Sequence, residues 1–430
     1  MPTEGELIES LVDAMRRAGC IDAHAHLMPE VLQNRRHKDA LSIFGQYVRI
    51  PMLASGLPYS EWERMHDGSV PLRERFGILK PYLERIQYTS FARAARQTLE
   101  HFWGVPELTD DNIEEVSRRI AAENRPGLYE RVLRGHCNIF HVCNQDTLQN
   151  DCRDLQVYQN QNILLPVVSL IDVKGPEGVE VNHLIGRDGK GSLDGYLEWA
   201  RERLVEMAHG GAIGFKTFAV GEAPVDRSLA LTEFADLERA GVEMRIDVPS
   251  RLRSYLHDQL LATASQLGLP VAVHTGYWRV NQFHPVHLIP LLERFPGLHF
   301  DLFHAGVPYV REIGAIAINY PNTSLNLCWA HSNNASMAAS ALDEYVDWLG
   351  SDKLIAFGSD VHQTVEKVYG HLELARWNIA RVLTRRINVG LLDMEGALRL
   401  IQEWFIRNPI QIYRLTARGG LNAINCTTIL

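Results

Sequence analysis

The 430-residue chain lacks the features that mark several large protein classes. It has no stretch of 18 apolar residues and no basic region followed by an apolar one at its start, so it predicts neither a membrane span nor secretion. It has no basic run either, and 43 Lys and Arg against 52 Asp and Glu give a net charge of −9. This balance gives no general attraction to nucleic acid or acidic membranes. We therefore expect a cytoplasmic protein, as a monomer or homo-oligomer, whose partner is a small-molecule substrate.

Motifs of zinc ribbons, redox pairs and dinucleotide-binding folds are also missing. The six cysteines, at positions 20, 137, 143, 152, 328 and 426, form no Cys-x-x-Cys pair. Several of them lie in apolar runs, as reduced core thiols do. No Gly-x-Gly-x-x-Gly follows an apolar strand. The hydrophobic content of 46% and charged content of 22% are ordinary globular values. The length fits two or three domains or one large barrel with insertions.

What the chain does contain is an alternation of apolar, strand-like segments with helix-like segments. The eight strand-like segments are Cys20–Leu27, Cys137–Val142, Ile163–Leu170, Ala212–Phe218, Pro270–Gly276, Leu298–Gly306, Thr323–Trp329 and Leu354–Asp360. Near-continuous apolar strands separated by helices indicate a parallel sheet covered on both faces. Eight such units predict an α/β fold of the closed (β/α)8 type, a TIM barrel.

The alternation is interrupted after the first strand. Residues 28–130 contain no convincing strand and several helix-like stretches. We therefore predict an amino-terminal helix and first barrel strand over 1–27, an inserted helical subdomain over 28–130, and the rest of the barrel with carboxyl-terminal helices over 131–430. Insertions that follow barrel strands commonly cover the active site, because the βα loops lie on the catalytic face.

Two histidines lie two residues apart at the end of the first strand-like segment. In a strand such residues point to the same face, so His24 and His26 present their rings to one spot. Two neutral imidazoles held on one rigid strand form half of a chelating site for a divalent metal of the zinc class. Taken alone, the pair is better explained by surface or core histidines. Ligands from other strands decide between these interpretations.

Four more polar residues end later strand-like segments: Lys216 on the fourth, His274 on the fifth, His304 on the sixth and Asp360 on the eighth. The carboxyl ends of all barrel strands open on one mouth, and the eighth strand neighbours the first. Polar residues are costly in a barrel interior unless they are paired or bind a metal. A separate structural explanation for each residue is less economical than one shared site. The pattern therefore predicts a metal centre.

Four segments of the chain resemble the amidohydrolase superfamily: Ile21–His26, Leu269–Gly276, Phe303–Gly306 and Phe357–Asp360. They are most similar to the amidohydrolase-2 branch of metal-dependent TIM-barrel hydrolases. That branch includes decarboxylases of the aminocarboxymuconate-semialdehyde type and is related to uronate isomerases. The resemblance covers nearly all of the chain outside the inserted helices. Its motifs are specific for the superfamily and not for a substrate.

The resemblance implies a role for each strand-end residue. His24, His26, His274 and Asp360 would be metal ligands, and Asp360 would also be catalytic by transferring the proton of the attacking water. His304 would be catalytic, as a base that orients that water, or would bind a second ion. The implied cofactor is a divalent metal, most simply zinc, with manganese or iron as alternatives, in one or two copies.

Lys216 has three interpretations. In two-metal relatives a lysine at this position is carbamylated and bridges the ions. An unmodified lysine would pair with a substrate carboxylate or a nearby acid, and a lysine that points out of the barrel would have no catalytic role.

The loops after the strands supply candidates for substrate binding, namely Trp278, Arg311 and His331. Arg311 suits recognition of a carboxylate, because its guanidinium can donate two parallel hydrogen bonds. A salt bridge on a helix surface explains it equally well. The aromatic residues either line the pocket or pack beneath the loops.

The function that these observations favour is metal-dependent hydrolysis of a C–N or C–O bond in a small polar substrate that carries a carboxylate. A metal-dependent decarboxylase or a uronate-isomerase-like enzyme is the alternative, because the related families use nearly the same ligands. A non-catalytic metal-binding or ligand-binding protein is a third possibility. All five histidine and aspartate positions are intact, which favours catalysis.

Overall fold

A computed structural model describes residues 2–146, 163–170, 192–240, 250–276 and 283–415 of the chain. Eight strands form one sheet in the order in which they occur in the sequence. The strands are β1 (Cys20–Ala25), β2 (Ile139–Asp146), β3 (Leu164–Ser169), β4 (Gly214–Phe218), β5 (Val271–His274), β6 (Phe300–Phe303), β7 (Thr323–Asn326) and β8 (Leu354–Ile355). From β2 to β8 each strand pairs with the next in parallel. The predicted (β/α)8 fold class is confirmed.

Several strands end earlier than the apolar runs that predicted them. The sixth segment was expected to continue to Gly306, but β6 ends at Phe303, and β8 ends at Ile355 rather than at Asp360. The backbone explains the earlier end of β6, because His304 directly follows that strand with a positive φ of 68°; Asp360 also has a positive φ, of 55°. Residues in that left-handed region cannot continue a β ladder. Both polar side chains therefore follow their strands instead of lying within them.

The helices occupy the segments between strands. They are α1 (Glu4–Ala18), α2 (Glu30–Gln33), α3 (Arg49–Ala54), α4 (Tyr59–His66), α5 (Leu72–Ile86), α6 (Ser90–Trp103), α7 (Ile113–Glu123), α8 (Leu193–His209), α9 (Arg227–Ala240), α10 (Arg251–Leu267), α11 (Ile289–Arg294), α12 (Val310–Asn319), α13 (Ala330–Asn333), α14 (Ala335–Trp348), α15 (Lys367–Asn388), α16 (Met394–Gln402) and α17 (Asn408–Ile412). Within the described part of the chain, none of them has both the length and the apolar character needed to cross a membrane.

Local sequence explains the first helix. Thr3 caps its start and Glu6 returns the hydrogen bond, which forms a capping box. Its apolar stripe, which includes Leu11 and Val12, is fully buried. Gly19 ends the helix with a φ of 72°, a conformation that glycine adopts without steric cost. The helix therefore leads directly into β1 and places the histidine pair.

Residues 28–130 contain helices and short 3-10 turns and no strand, as the sequence predicted. By their contacts they group with β1 in a first compact unit, which comprises Met1–Phe140, Trp329–Leu342 and Phe357–Ile401. The second unit comprises His141–Cys328, Asp343–Ala356 and Gln402–Leu430. The division of the chain at 27/28 and 130/131 stays a prediction.

Candidate metal centre

The first compact unit brings His24, in β1, and His26, which directly follows β1, to one carboxylate oxygen. His24 Nε2 lies 3.2 Å and His26 Nε2 lies 3.1 Å from Asp360 Oδ1. The candidate ligand atoms of these three residues all lie within 4.8 Å of one another. Atoms that bind one zinc-class ion at about 2.0–2.2 Å are themselves roughly 3–3.5 Å apart. The spacing of the three side chains therefore suits a shared divalent metal.

The hydrogen bonding of Asp360 supports the same interpretation. Tyr47 donates its hydroxyl hydrogen to Asp360 Oδ2 over 2.6 Å. The other carboxylate oxygen, Oδ1, is buried, and no described residue makes a well-aligned hydrogen bond to it although two imidazoles are close. A buried carboxylate oxygen without a donor is costly unless a cation satisfies it. The residues present therefore fit a metal ion.

The electrostatics of Asp360 depend on these neighbours. Burial by itself would raise the pKa of the Asp360 carboxyl, but the imidazoles of His24 and His26 outweigh burial and hold that pKa well below its usual value. A carboxylate that stays ionised while fully buried is suited to bind a cation.

Backbone hydrogen bonds fix β1 against the segment that follows β8. Asp360 donates its N–H to the His24 carbonyl over 2.8 Å, and His26 donates to the Val361 carbonyl over 2.9 Å. The candidate ligands on the two segments are therefore held in register by the peptide groups next to them.

Asp22 reinforces this junction, although it was not among the predicted site residues. Its Oδ1 accepts hydrogen bonds from the backbone N–H groups of Ser359, at 2.8 Å, and His24, at 3.2 Å. Burial raises the pKa of Asp22 to about 7, against the effect of these donors. Strand periodicity could have identified the residue, because Asp22 precedes His24 by two and so lies on the same face.

The insertion contributes side chains that no local pattern indicated. Gln46 Nε2 donates to the Asp360 carbonyl over 2.8 Å, and Gln46 Oε1 accepts from the backbone N–H of His362 over 3.2 Å. The ring of Tyr47 packs on Trp329 with centroids 4.9 Å apart. The hydrogen bonds of Gln46 and Tyr47 to Asp360 join residues more than 300 positions apart in the chain, beyond the reach of any periodicity argument.

In the second compact unit, the two strand-end histidines contact each other. His304 Nε2 lies 2.9 Å from His274 Nδ1, and His304 Nδ1 lies 3.1 Å from the Cys328 carbonyl oxygen. A carbonyl only accepts, so His304 donates to it when its proton is on Nδ1, and the Cys328 Sγ lies 3.3 Å from the same nitrogen. The buried Lys216 ammonium lies 4.4 Å from the centroid of the Phe303 ring.

The three residues predicted to bind substrate have different outcomes. Arg311 makes two 2.9 Å hydrogen bonds to Glu344 and its side chain is 74% exposed, which is the surface salt bridge considered as its alternative. His331 is buried, with Nδ1 2.9 Å from Asn378 Nδ2. Trp278 lies outside the described residues. A role in substrate binding stays a prediction for all three.

The sequence profile of the amidohydrolase family matches residues 193–415. The match covers more than half of the chain. This protein belongs to the amidohydrolase family. The predicted amidohydrolase-2 branch is confirmed. The matched region includes Asp360 and excludes His24 and His26, so the convergence of these three side chains is an independent structural observation.

Solved structures with the same fold include two isomerases. The uronate isomerase of Thermotoga maritima superimposes with a TM-score of 0.76 at 14% identity, over 95% of this chain and 97% of the isomerase. The glucuronate isomerase of Caulobacter crescentus gives 0.77 at 17% identity, over 96% and 95%. At these identities the likeness concerns the fold.

A curated relative is Protein fluG of Emericella nidulans, 26% identical over 169 residues, which are 38% of this chain. The match spans only 19% of the length of fluG.

Proposed function

We propose that this amidohydrolase-family chain is a metal-dependent hydrolase that cleaves a C–N or C–O bond in a small, carboxylate-bearing substrate. The observation that carries the proposal is the convergence of His24 Nε2 and His26 Nε2 on the buried Asp360 Oδ1. Membership of the family supports it. We further propose a cytoplasmic location, with neither nucleic acid nor membrane as a partner.

The proposed cofactor is one divalent ion held by His24, His26 and Asp360, with zinc as the first choice and manganese or iron as alternatives. When bound in such a site, a divalent metal lowers the pKa of water and polarises a substrate oxygen. The role of His274 as a further ligand, and that of Lys216 as a bridge to a second ion, stay predictions from the sequence.

Proton transfer is assigned to atoms of the chain itself. The His304 imidazole, whose Nε2 lies 2.9 Å from His274 Nδ1, is proposed to orient the attacking water and to accept its proton. Asp360 is proposed to act as the second proton carrier. The Lys216 ammonium is proposed to pair with the substrate carboxylate.

The test begins with the metal content of the purified protein and of two variants. We expect one divalent ion per chain in the wild type and in His209→Ala, which alters an exposed histidine at the end of α8. We expect loss of the ion in His24→Ala. Wild-type protein that takes up no divalent metal from a buffer containing zinc, manganese or iron would refute the proposal.

Activity is then measured with panels of carboxylate-bearing amides, esters and lactones. Hydrolysis that depends on His24 and Asp360 is the expected result. Turnover that persists in His24→Ala would argue against the proposed centre.

Uronate isomerisation is the second candidate, because the likeness to two isomerases extends over nearly the full length of both chains, including the inserted helices. Formation of a ketose from D-glucuronate, without hydrolysis of any ester or amide, would favour it. Release of CO2 from aromatic or enoic acids would favour a decarboxylase. Stoichiometric metal without turnover of any panel would favour a binding protein.

A further inference from the structure

The side chain of Gln46 holds the backbone on both sides of Val361. Its Nε2 donates to the carbonyl oxygen of Asp360 over 2.8 Å, and its Oε1 accepts from the N–H of His362 over 3.2 Å. An amide side chain that pairs with a backbone carbonyl and a backbone N–H acts like one residue of a neighbouring strand. Gln46 thus fixes the two peptide groups that directly follow Asp360, a candidate metal ligand.

Both partners in this contact have an unusual backbone conformation. Gln46 has a φ of 65° and Asp360 a φ of 55°. Residues with a Cβ disfavour this region and retain it only where their surroundings enforce it, which is most often at functional sites. Without the amide contact, Asp360 would have fewer constraints against relaxing to a common conformation, and its carboxylate would then point elsewhere.

The segment that carries Gln46 is itself anchored inside the first compact unit. The buried Lys367 ammonium donates to the Gly45 carbonyl oxygen over 2.9 Å. The ring of Tyr47 packs against Phe91 at 5.8 Å, and its hydroxyl binds Asp360 Oδ2. Residues 45–47 therefore hold Asp360 at two points, its carbonyl through Gln46 and its carboxylate through Tyr47.

We propose that Gln46 is a positioning residue that keeps Asp360 Oδ1 directed at the metal, so that metal binding and docking of the segment Gly45–Val48 are thermodynamically linked. The inference rests on the proposed metal centre. It adds a function for the insertion, which then completes the metal site as well as covering it. Supports that lie behind metal ligands typically change metal affinity about 10–100-fold when they are removed.

The variant that tests this is Gln46→Gly. Glycine removes the amide but accepts a positive φ without strain, so loss of the contact is not confounded by a worse backbone. The matched control is Asn138→Gly. Asn138 also has a positive φ, of 55°, and its amide also binds two backbone groups, the carbonyls of Arg16 and Arg17 at 2.9 and 3.2 Å, at the end of α1.

Two measurements are made on each full-length protein. The dissociation constant for Zn²⁺ is determined by competition with a chromophoric chelator, and limited proteolysis reports cleavage near residue 46 with and without Zn²⁺. We expect Gln46→Gly to bind Zn²⁺ about tenfold or more weakly and to lose zinc-dependent protection. We expect Asn138→Gly to match the wild type in both measurements.

The outcomes separate this inference from the proposed function. Failure of the wild type to bind zinc, manganese or iron refutes the metal centre itself. If the wild type binds zinc and Gln46→Gly binds it with the same dissociation constant, the positioning role is overturned. This holds even if that variant is less stable than the wild type. Should Gln46→Gly not fold, Gln46→Asn is titrated instead, because asparagine tolerates a positive φ and is one methylene too short for both contacts.

Discussion

At the scale of single residues, Lys367 is a buried cation whose pKa is strongly changed by its surroundings. Among described residues its ammonium has one hydrogen-bond acceptor, the Gly45 carbonyl oxygen at 2.9 Å. Burial lowers the pKa of Lys367 to about 7. The rings of His66 and His371 lie close enough for their own pKa values to be lowered by this ammonium, in addition to the larger effect of burial on each.

This shift predicts how stability depends on pH. Between pH 7 and the unfolded value of about 10.4, the unfolded chain binds a proton at Lys367 that the folded chain does not, so stability rises with pH. Lys367→Met should remove this rise, which amounts to at most about 1.4 kcal/mol per pH unit. Urea unfolding at pH 7, 8 and 9 measures it. The assignment would be contradicted if the free energy of unfolding rose equally with pH in the wild type, in Lys367→Met and in the exposed control Lys80→Met.

Tyr47 offers a second test at this scale. Tyr47→Phe removes the 2.6 Å hydrogen bond to Asp360 Oδ2 and keeps the ring that packs on Trp329 and Phe91. We expect zinc affinity to fall about tenfold, with a loss of about 1.5–3 kcal/mol in the stability of the metal-free protein, because the acceptor is an ionised carboxylate. Zinc titration and urea unfolding measure these quantities. Tyr82→Phe, which alters an exposed hydroxyl bound to the Gly56 carbonyl, should leave zinc affinity unchanged.

At the scale of elements, the closest helix packing described in the first unit joins the insertion to the helix after β8. A Cβ placed at Gly370 of α15 would overlap the Ala94 carbonyl oxygen and the Thr98 hydroxyl of α6. The two helices approach so closely only because Gly370 has no side chain. Helices were predicted in both regions of the sequence, but their point of contact depends on a glycine that lowers helix propensity and gives no apolar signal.

Gly370→Ala should therefore destabilise the protein by about 1–3 kcal/mol. Its matched control is Gly77→Ala in α5, where a Cβ would meet nothing within 4 Å. The control should stabilise the protein by about 0.5–1 kcal/mol, because alanine favours the helix more than glycine does. Thermal and urea unfolding of both variants give the comparison. A stabilisation of the same size in both variants would show that helix propensity, and not close packing, determines the effect at position 370.

At the scale of the whole molecule, the sequence predicts the barrel and its first ligands but not what supports them. Apolar runs locate all eight strands because buried parallel strands need apolar faces throughout. The end of β6 was overestimated, because a positive φ at His304 leaves no compositional trace, and β8 ends at Ile355 although the apolar run continues beyond it. Gln46 and Tyr47 escaped prediction since their contacts with Asp360 span more than 300 residues. Only the folded chain brings these polar groups together.

The same long-range assembly makes metal binding a property of the folded chain. Asp360 is far from His24 and His26 in the sequence, so the unfolded chain offers no comparable three-ligand site, and metal should stabilise the folded state by mass action. At free zinc of 100 times the dissociation constant, the gain is about 2.7 kcal/mol. Urea unfolding with and without zinc measures this gain for the wild type, for His26→Ala and for the surface control His209→Ala.

We expect the full gain in the wild type and His209→Ala and almost none in His26→Ala. Hydrogen exchange should show the added protection first in β1 and in residues 357–361, where backbone hydrogen bonds tie the ligands together. An equal gain in His26→Ala would place the zinc elsewhere. Protection spread evenly over the chain would indicate that zinc suppresses only global unfolding. The junction between β1 and the segment after β8 would then not open separately from the rest of the chain.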